Sequence, residues 1–261
     1  MTPRPTGFSL TELLVALAVT SLAMVSVIGF HVGHKLRSAS EDLNIEVQQN
    51  LRLAMEKVQS SLRNSNYGVP AANVSQWINW VGGFSSNPVV TAGPPGSVSV
   101  ASCGLQPLTT LASTATAGAT MLTLTSAAGL DNSNRRLIYI DDAENAIVKS
   151  VSGNTITVDT DPTSGGNQGI AHTYPAGTPV CRVDVTTYSL NSTKKTLQVD
   201  SNQGGTAQNL ADGITAMSIV INNAGAQPEY TITLTGQSSK KDPTTSAIIT
   251  MALSGTATPL Q

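Results

Sequence analysis

The sequence GFSLTELLVALAVTSLAMVSVIGF, residues 7–30, is a long and nearly uncharged apolar run close to the N-terminus. Its last 23 residues, 8–30, contain one charged side chain, that of Glu12. Because a helix rises about 1.5 Å per residue, this length spans roughly 35 Å, slightly more than the hydrocarbon core of a bilayer. The stretch therefore predicts a helix that can anchor the chain in a membrane.

The residues before the apolar stretch do not fit an ordinary secretory signal. Residues 1–7, MTPRPTG, are polar and carry Arg4 as their basic residue. A secretory signal has small residues at a cleavage site after the apolar run, whereas here the small residue, Gly7, precedes it. Because the next lysine or arginine is Lys35, the positive-inside rule predicts a cytoplasmic N-terminus with the remainder of the chain outside.

The sequence GFSLTELLVALAV, residues 7–19, resembles the class III signal of type IV pilins and of type II secretion pseudopilins. In that family a prepilin peptidase cuts after the glycine and methylates the new amino terminus. The resemblance implies cleavage after Gly7, methylation of Phe8 as the first mature residue, and Glu12 as the acidic fifth residue. It also implies assembly with other pilin subunits through their N-terminal helices, with a salt bridge from Glu12 to the adjacent subunit.

Glu12 also has a physical interpretation that does not depend on the family. An ionised carboxylate inside a bilayer costs on the order of 3 kcal/mol, so this residue needs a partner. Cleavage after Gly7 places the α-amino group of Phe8 one helical turn away, where it can neutralise Glu12 within the chain or from a neighbouring subunit. The alternative is that Glu12 reaches the membrane interface near the start of the helix.

The helix is predicted to continue beyond the membrane. Residues 35–64 contain no proline or glycine and place apolar side chains at steps of three and four. These side chains are Leu43, Val47, Leu51, Ala54, Val58 and Leu62. The pattern predicts one helix over about 8–64, with local unwinding or bending expected near Gly29 and Gly33 because glycine costs about 1 kcal/mol in a helix interior.

After residue 68 the chain changes to short β-branched runs separated by turn residues, which is typical of an antiparallel β domain. The predicted strands are 97–101, 120–125, 136–140, 145–151, 154–158, 179–189, 196–199, 214–222, 230–235 and 246–253. The predicted fold class is α+β, a type IV pilin-like long helix packed on a β-rich globular head.

The sequence divides into four predicted segments. These are the leader 1–7, the transmembrane or fibre-core half-helix 8–34, the amphipathic half-helix 35–68 and the head 69–261. Within the head, residues 187–222 resemble the second half of large minor pilins of the PilW type and of the J pseudopilin. Residues 115–180 are interpreted as an inserted all-β module.

Cys103 lies before this module and Cys181 directly after it. If the module leaves and rejoins adjacent strands, a disulfide between them would close its neck. In the chain-entropy model such a bond stabilises the fold by roughly 4 kcal/mol. The alternative is a pair of unpaired buried thiols.

Composition and motifs argue against several other functions. The net charge is −2 and the basic residues occur in isolated pairs, so no specific nucleic-acid partner is predicted. The sequence lacks nucleotide-binding, zinc-protease and hydrolase motifs, so neither an enzyme nor a cofactor is predicted. Two acidic groups lack the spacing of a calcium loop, and solvated turns are favoured over metal sites. They are Asp141, Asp142 and Glu144, and Asp159, Asp161 and Asn167.

The resulting hypothesis is a structural subunit, a minor pilin of a type IV pilus near the filament tip. Its implied partners are other major and minor pilins, the prepilin peptidase and an inner-membrane assembly platform. Before assembly the chain would be a single-pass protein of the bacterial inner membrane, and afterwards part of an extracellular or periplasmic fibre. The alternatives are a J-type minor pseudopilin of a type II secretion system, and a tip adhesin or DNA-capture pilin.

Overall fold

The computed structural model describes residues 10–65, 67–69, 89–91, 96–103, 108–131, 137–141, 143–161, 164–201, 206–223 and 228–259. The predicted cleavage residues Gly7 and Phe8 lie outside this part of the chain. The chain divides into two compact units. One comprises Met1–Val47 with Ser238–Ile249, and the other comprises Gln48–Gln237 with Thr250–Gln261.

The N-terminal element is a single helix, α1, of 54 residues from Leu10 to Arg63. Its extent confirms the long helix expected over about 8–64. The helix runs through Gly29 and Gly33 without a break, so the backbone is not unwound at these glycines, and bending there stays a prediction. Residues 10–63 contain no proline, so each of them keeps the backbone N–H group that donates the helical hydrogen bond.

The C-terminal part of α1 buries one face. Its buried side chains are Val47, Leu51, Ala54, Met55, Val58 and Leu62. This set reproduces the predicted apolar stripe with two differences: Leu43 is half-buried, and Met55 joins the buried set. Burial of such a face supplies most of the stability of a helix in a folded domain.

The remainder of the described chain forms thirteen strands. They are β1 (Val89–Thr91), β2 (Ser97–Cys103), β3 (Thr109–Thr110), β4 (Met121–Thr123), β5 (Leu137–Ile140), β6 (Glu144–Ser152), β7 (Thr155–Asp159), β8 (Pro179–Asn191), β9 (Thr196–Ser201), β10 (Gln208–Asp212), β11 (Ile214–Asn222), β12 (Glu229–Lys241) and β13 (Ile248–Ala257).

These strands form two sheets. The larger sheet has the order β1-β2-β8-β5-β6-β7-β4, with β3 and β9 also pairing with β8 and β10 pairing with β9. The smaller sheet has the order β11-β12-β13. The strand pairs whose register is resolved are antiparallel. The long helix packed on antiparallel sheets confirms the α+β type IV pilin-like class.

Strand β8 connects two apolar cores because it is long enough to pair with different strands at its two ends. Its residues 179–182 pair with β3 and β5, whereas residues 183–191 pair with β2 and β9. Val180 packs into a core built by residues between Leu111 and Tyr174. Val183 and Val185 pack into another core, which also contains Ala101 and Leu137.

A buried aspartate organises the loop after β7. The carboxylate of Asp159 accepts hydrogen bonds from the backbone N–H of Asp161 at 3.2 Å and of Gln168 at 3.0 Å, and pairs with Lys149 Nζ at 3.0 Å. Burial alone raises the pKa of this carboxyl, but the hydrogen bonds from Gln168, Lys149 and Asp161 outweigh it and the pKa is lowered. Asp159 therefore stabilises the fold as a carboxylate.

The buried face of α1 generates a stability prediction. We expect Leu62→Ala to lower the free energy of unfolding by about 2–5 kcal/mol because it removes a fully buried side chain and leaves a cavity. Leu53→Ala is the matched control, since Leu53 lies on the same helix with its side chain 41% exposed. Denaturant unfolding of the full chain in detergent measures both, and equal effects would contradict the assigned face.

The Asp159 loop generates a pH prediction. Because the pKa of Asp159 is lowered on folding, its contribution is present above the ordinary carboxyl value of 3.8 and is lost as pH falls through the folded-state pKa. We expect Asp159→Asn to cost about 2 kcal/mol near neutral pH and progressively less in acid. Unfolding measured across pH tests this against Asp200→Asn, an exposed control. A pH-independent difference would contradict the assignment.

Candidate functional site

The candidate site is the N-terminal half of α1, whose apolar side chains are exposed around the whole helix. These include Leu10, Leu13, Leu14, Val15, Leu17, Val19, Leu22, Met24, Val25, Val27, Ile28 and Phe30, each at least 60% exposed. The helix is long and apolar enough to cross a membrane, and none of its most apolar 18-residue window is buried within the protein. Such a surface requires a lipid or protein environment.

The hydroxyl groups within this segment are satisfied by the helix itself. Ser21 Oγ donates to the carbonyl of Ala18 at 2.8 Å, and Ser26 Oγ donates to the carbonyl of Leu22 at 3.0 Å. Thr20 Oγ1 donates to the carbonyl of Ala16. Bonds of this kind reduce the cost of placing hydroxyl groups in an apolar environment.

Glu12 carries the charge of this segment and lies in the first turn of α1, with its side chain exposed. The backbone N–H groups of a helix N-terminus favour a carboxylate at this position. Because residues 10–30 contain no other ionisable side chain, any strong electrostatic contact of the apolar segment with a neighbour involves Glu12. The roles of Gly7, Phe8 and Glu12 in processing and assembly stay predictions.

The end of the apolar segment is marked by an aromatic pair. The rings of Phe30 and His34 are stacked edge-to-face, with centroids 4.8 Å apart, one helical turn from each other. Lys35 and Arg37 follow directly. Aromatic and basic side chains are typical of a membrane–water boundary, so their position here is consistent with the end of a membrane-spanning segment.

Cys103 and Cys181 are joined by a disulfide, as one of the two sequence-based alternatives predicts, with their Cα atoms 5.9 Å apart. The bond links the end of β2 to the first part of β8. Both cysteines are buried. The described part of the chain contains no free cysteine.

The sequence did not reveal that the segment following α1 packs against this disulfide. The carbonyl of Tyr67 accepts a hydrogen bond from Cys103 N at 2.7 Å, and that of Gly68 accepts one from Asn145 Nδ2 at 2.7 Å. Gly68 has φ +75°, and a Cβ there would lie 2.6 Å from Cys103 Cβ. Glycine is required by both the backbone conformation and the close approach.

The ends of the predicted module, residues 115–180, are joined by backbone hydrogen bonds. Ala115 and Tyr174 exchange two N–H···O bonds of 2.8 Å. Just outside them, Leu111 N donates to Thr178 O at 2.9 Å and Gly177 N donates to Leu111 O at 2.7 Å. The segment therefore leaves and returns at neighbouring positions.

Two of the carboxylates considered for calcium, Glu144 and Asp159, accept hydrogen bonds within the fold. Glu144 accepts a hydrogen bond from Ala171 N at 2.6 Å and another from Tyr174 Oη at 3.1 Å. Burial and then the charge of Glu144 raise the pKa of Tyr174. Both oxygens of Asp159 are occupied as described above, and Asp142 lies outside the described residues. Among the residues that the structure describes, no group of three or more His, Cys, Asp or Glu is arranged to hold a metal ion.

Comparison with known proteins locates one match, at the N-terminus. Residues 3–28 match the family model for the prokaryotic N-terminal methylation motif. The curated proteins and the solved structures contain no significant match to this chain. The matched region includes Gly7, Phe8 and Glu12 and most of the exposed apolar helix.

The match and the apolar helix are consistent with anchoring in a membrane before assembly into a fibre. They also imply processing by a prepilin peptidase. The N-terminal methylation motif and the long helix packed on antiparallel sheets together support a type IV pilin-family protein.

Proposed function

We propose that this protein is a structural subunit, a PilW-like minor pilin of a type IV pilus. In this role it is cleaved after Gly7, methylated on Phe8 and incorporated through packing of its N-terminal helix. The observation that carries the proposal is the apolar surface of residues 10–30, exposed on every side and charged only at Glu12. This structural role does not require the chain to act as an enzyme.

The proposed driving force for incorporation is electrostatic. Moving an apolar helix from lipid into a helical fibre core exchanges one apolar environment for another. Hydrophobic burial therefore contributes little to the preference of the helix for the fibre over the membrane. The carboxylate of Glu12, in contrast, is costly in lipid and needs a cation. The α-amino group that cleavage creates at Phe8 of a neighbouring subunit supplies that cation in the fibre and sets the axial register.

The proposed topology places the β-rich head outside the cytoplasm. Arg4 precedes the apolar segment, and the disulfide between Cys103 and Cys181 supports a head that folds in an oxidising compartment. In this arrangement the subunit meets the prepilin peptidase and the assembly platform at the inner membrane. It then meets other pilins along the fibre.

We further propose that residues 115–180 form an inserted β module within the head. The support is an apolar core within the segment between Leu111 and Val180, the paired ends at Ala115 and Tyr174, and the disulfide beside the point of insertion. A head enlarged in this way fits a position at or near the filament tip, where added bulk does not obstruct neighbouring subunits.

A J-type minor pseudopilin of a type II secretion system is the second candidate, because the methylation motif at residues 3–28 is common to both kinds of subunit. Deletion of the gene separates the two: loss of pili supports the minor pilin, and loss of protein secretion with pili intact supports the pseudopilin. A tip adhesin or DNA-capture pilin would use the inserted module as its receptor-binding part.

The role of Glu12 is tested by removing its charge while keeping its shape. We expect Glu12→Gln to be processed normally but to enter fibres at least about ten-fold less than the unmodified chain, since its ion pair is lost. Glu41→Gln is the matched control, because Glu41 is exposed on the same helix beyond the apolar segment. Immunoblots of sheared fibres and membranes measure the ratio, and normal incorporation of Glu12→Gln would contradict the proposal.

The processing site is tested separately. We expect Gly7→Val to block cleavage and to leave a full-length precursor in the membrane. The reason is that valine places a branched side chain at the position after which the peptidase cuts. Thr6→Ala changes the neighbouring leader residue and serves as the control. Gel mobility and cell fractionation give the readout, and a mature-sized product from Gly7→Val would place the cut elsewhere.

A further inference from the structure

Strand β13 forms an unusually open edge of the smaller sheet. It pairs with β12, and among the described residues no strand pairs with its other side. Among the described residues, the strands that pair on one side only in the larger sheet are short: β1 and β4 have three residues each, β3 has two and β10 has five. The opposite edge of the smaller sheet, β11, contacts β8 and β9. β13, with ten residues, is therefore the longest strand with an unpaired edge among the described residues.

The sequence of β13 does not protect this edge. Proteins usually prevent accidental pairing by placing lysine, other charges or proline on an edge strand. The ten residues IITMALSGTA contain no charged side chain and no proline. At the end of the strand, Gln59 Nε2 donates to the carbonyl of Thr256 at 3.1 Å, so helix α1 covers that end. Residues 250–254, which precede this end, form the part of the strand whose outer edge we call the open length.

A groove lies beside this open length. It has a volume of about 410 Å³ and is lined by Gln48, Leu51, Arg52, Met251, Ala252 and Leu253. At β12 the helix and the sheet are in close contact, since a Cβ on Gly236 would lie 3.0 Å from Leu51 Cγ. Beside β13 the space remains open, and the side chains of Met251 and Leu253 are only half-buried.

We propose that the open edge of β13 and this groove form a strand-addition site for an extended segment of another polypeptide chain. The backbone N–H and C=O groups along an edge are matched in number and spacing by a further β-strand. Alternate side chains of the added strand fill the groove against Leu51, Met251 and Leu253. Arg52 is exposed and, among the described residues, has no ion-pair partner, so the segment that fits carries a carboxylate beside its apolar residues.

A peptide with the sequence EYTITLTGQS, residues 229–238, is a suitable probe. It copies the first ten residues of β12, the strand that already pairs with β13. It alternates apolar with hydroxyl side chains over residues 230–235 and carries one acidic side chain, that of Glu229. We expect saturable binding to the full chain in detergent, with new protection from hydrogen exchange confined to residues 250–254. A scrambled peptide should not bind. Absence of saturable binding, or protection elsewhere, overturns the proposal.

The charge contact is tested with a reversal. Arg52→Glu should weaken binding of the peptide about five-fold, and a peptide with lysine in place of Glu229 should restore it. Lys57→Glu is the matched control, since Lys57 is exposed on the same helix and does not line the groove. Equal binding by the Arg52→Glu and Lys57→Glu chains, or no rescue by the lysine peptide, overturns the proposed contact and with it the assigned site.

Discussion

The structure depends on one constraint: an apolar helical surface that the chain's own fold leaves uncovered. Residues 10–30 expose large apolar side chains on all sides, and their hydroxyl groups bond to the helix backbone. Such a segment is stable only in lipid or among other helices. In the proposed function this segment lies first in the lipid of the inner membrane and then among the helices of a fibre core.

The two parts of α1 accordingly differ in chemistry. The first part is apolar around its whole circumference, whereas from Val47 to Leu62 the buried side chains follow one face. The segment after the helix is fixed by Gly68 against Cys103, so the disulfide anchors this segment as well as linking β2 to β8. The same disulfide therefore contacts the segment that follows the helix and lies directly beside the predicted module.

Much of this fold was predictable from local sequence patterns. Residues 8–30 predict the apolar helix by length, the stripe from Val47 to Leu62 predicts its buried face, and each of the ten predicted strands overlaps an observed one. The missed strands β1, β3 and β10 have three, two and five residues, too few for a clear alternation. The contact of Gly68 with Cys103 and the pairing of β8 with four strands depend on residues distant in sequence, which no local pattern encodes.

The candidate site was predictable only where its features are encoded in neighbouring residues. Glu12 stands out in the sequence because it is the one charge in an apolar run, and the methylation motif surrounds it. The bonds of Ser21 and Ser26 to the helix backbone depend on side-chain conformation and were not predicted. The open edge of β13 depends on which strands become neighbours, so it emerges only from the sheet topology.

Mass spectrometry of the amino terminus, on protein isolated from cells, tests the proposed pairing of Glu12 with a cleaved amino terminus. We expect a chain that begins at Phe8 with a methylated α-amino group, because that amine is the cation proposed to meet Glu12. A chain that begins at Met1, or one that begins downstream of Ala39 and lacks the apolar helix, would contradict it.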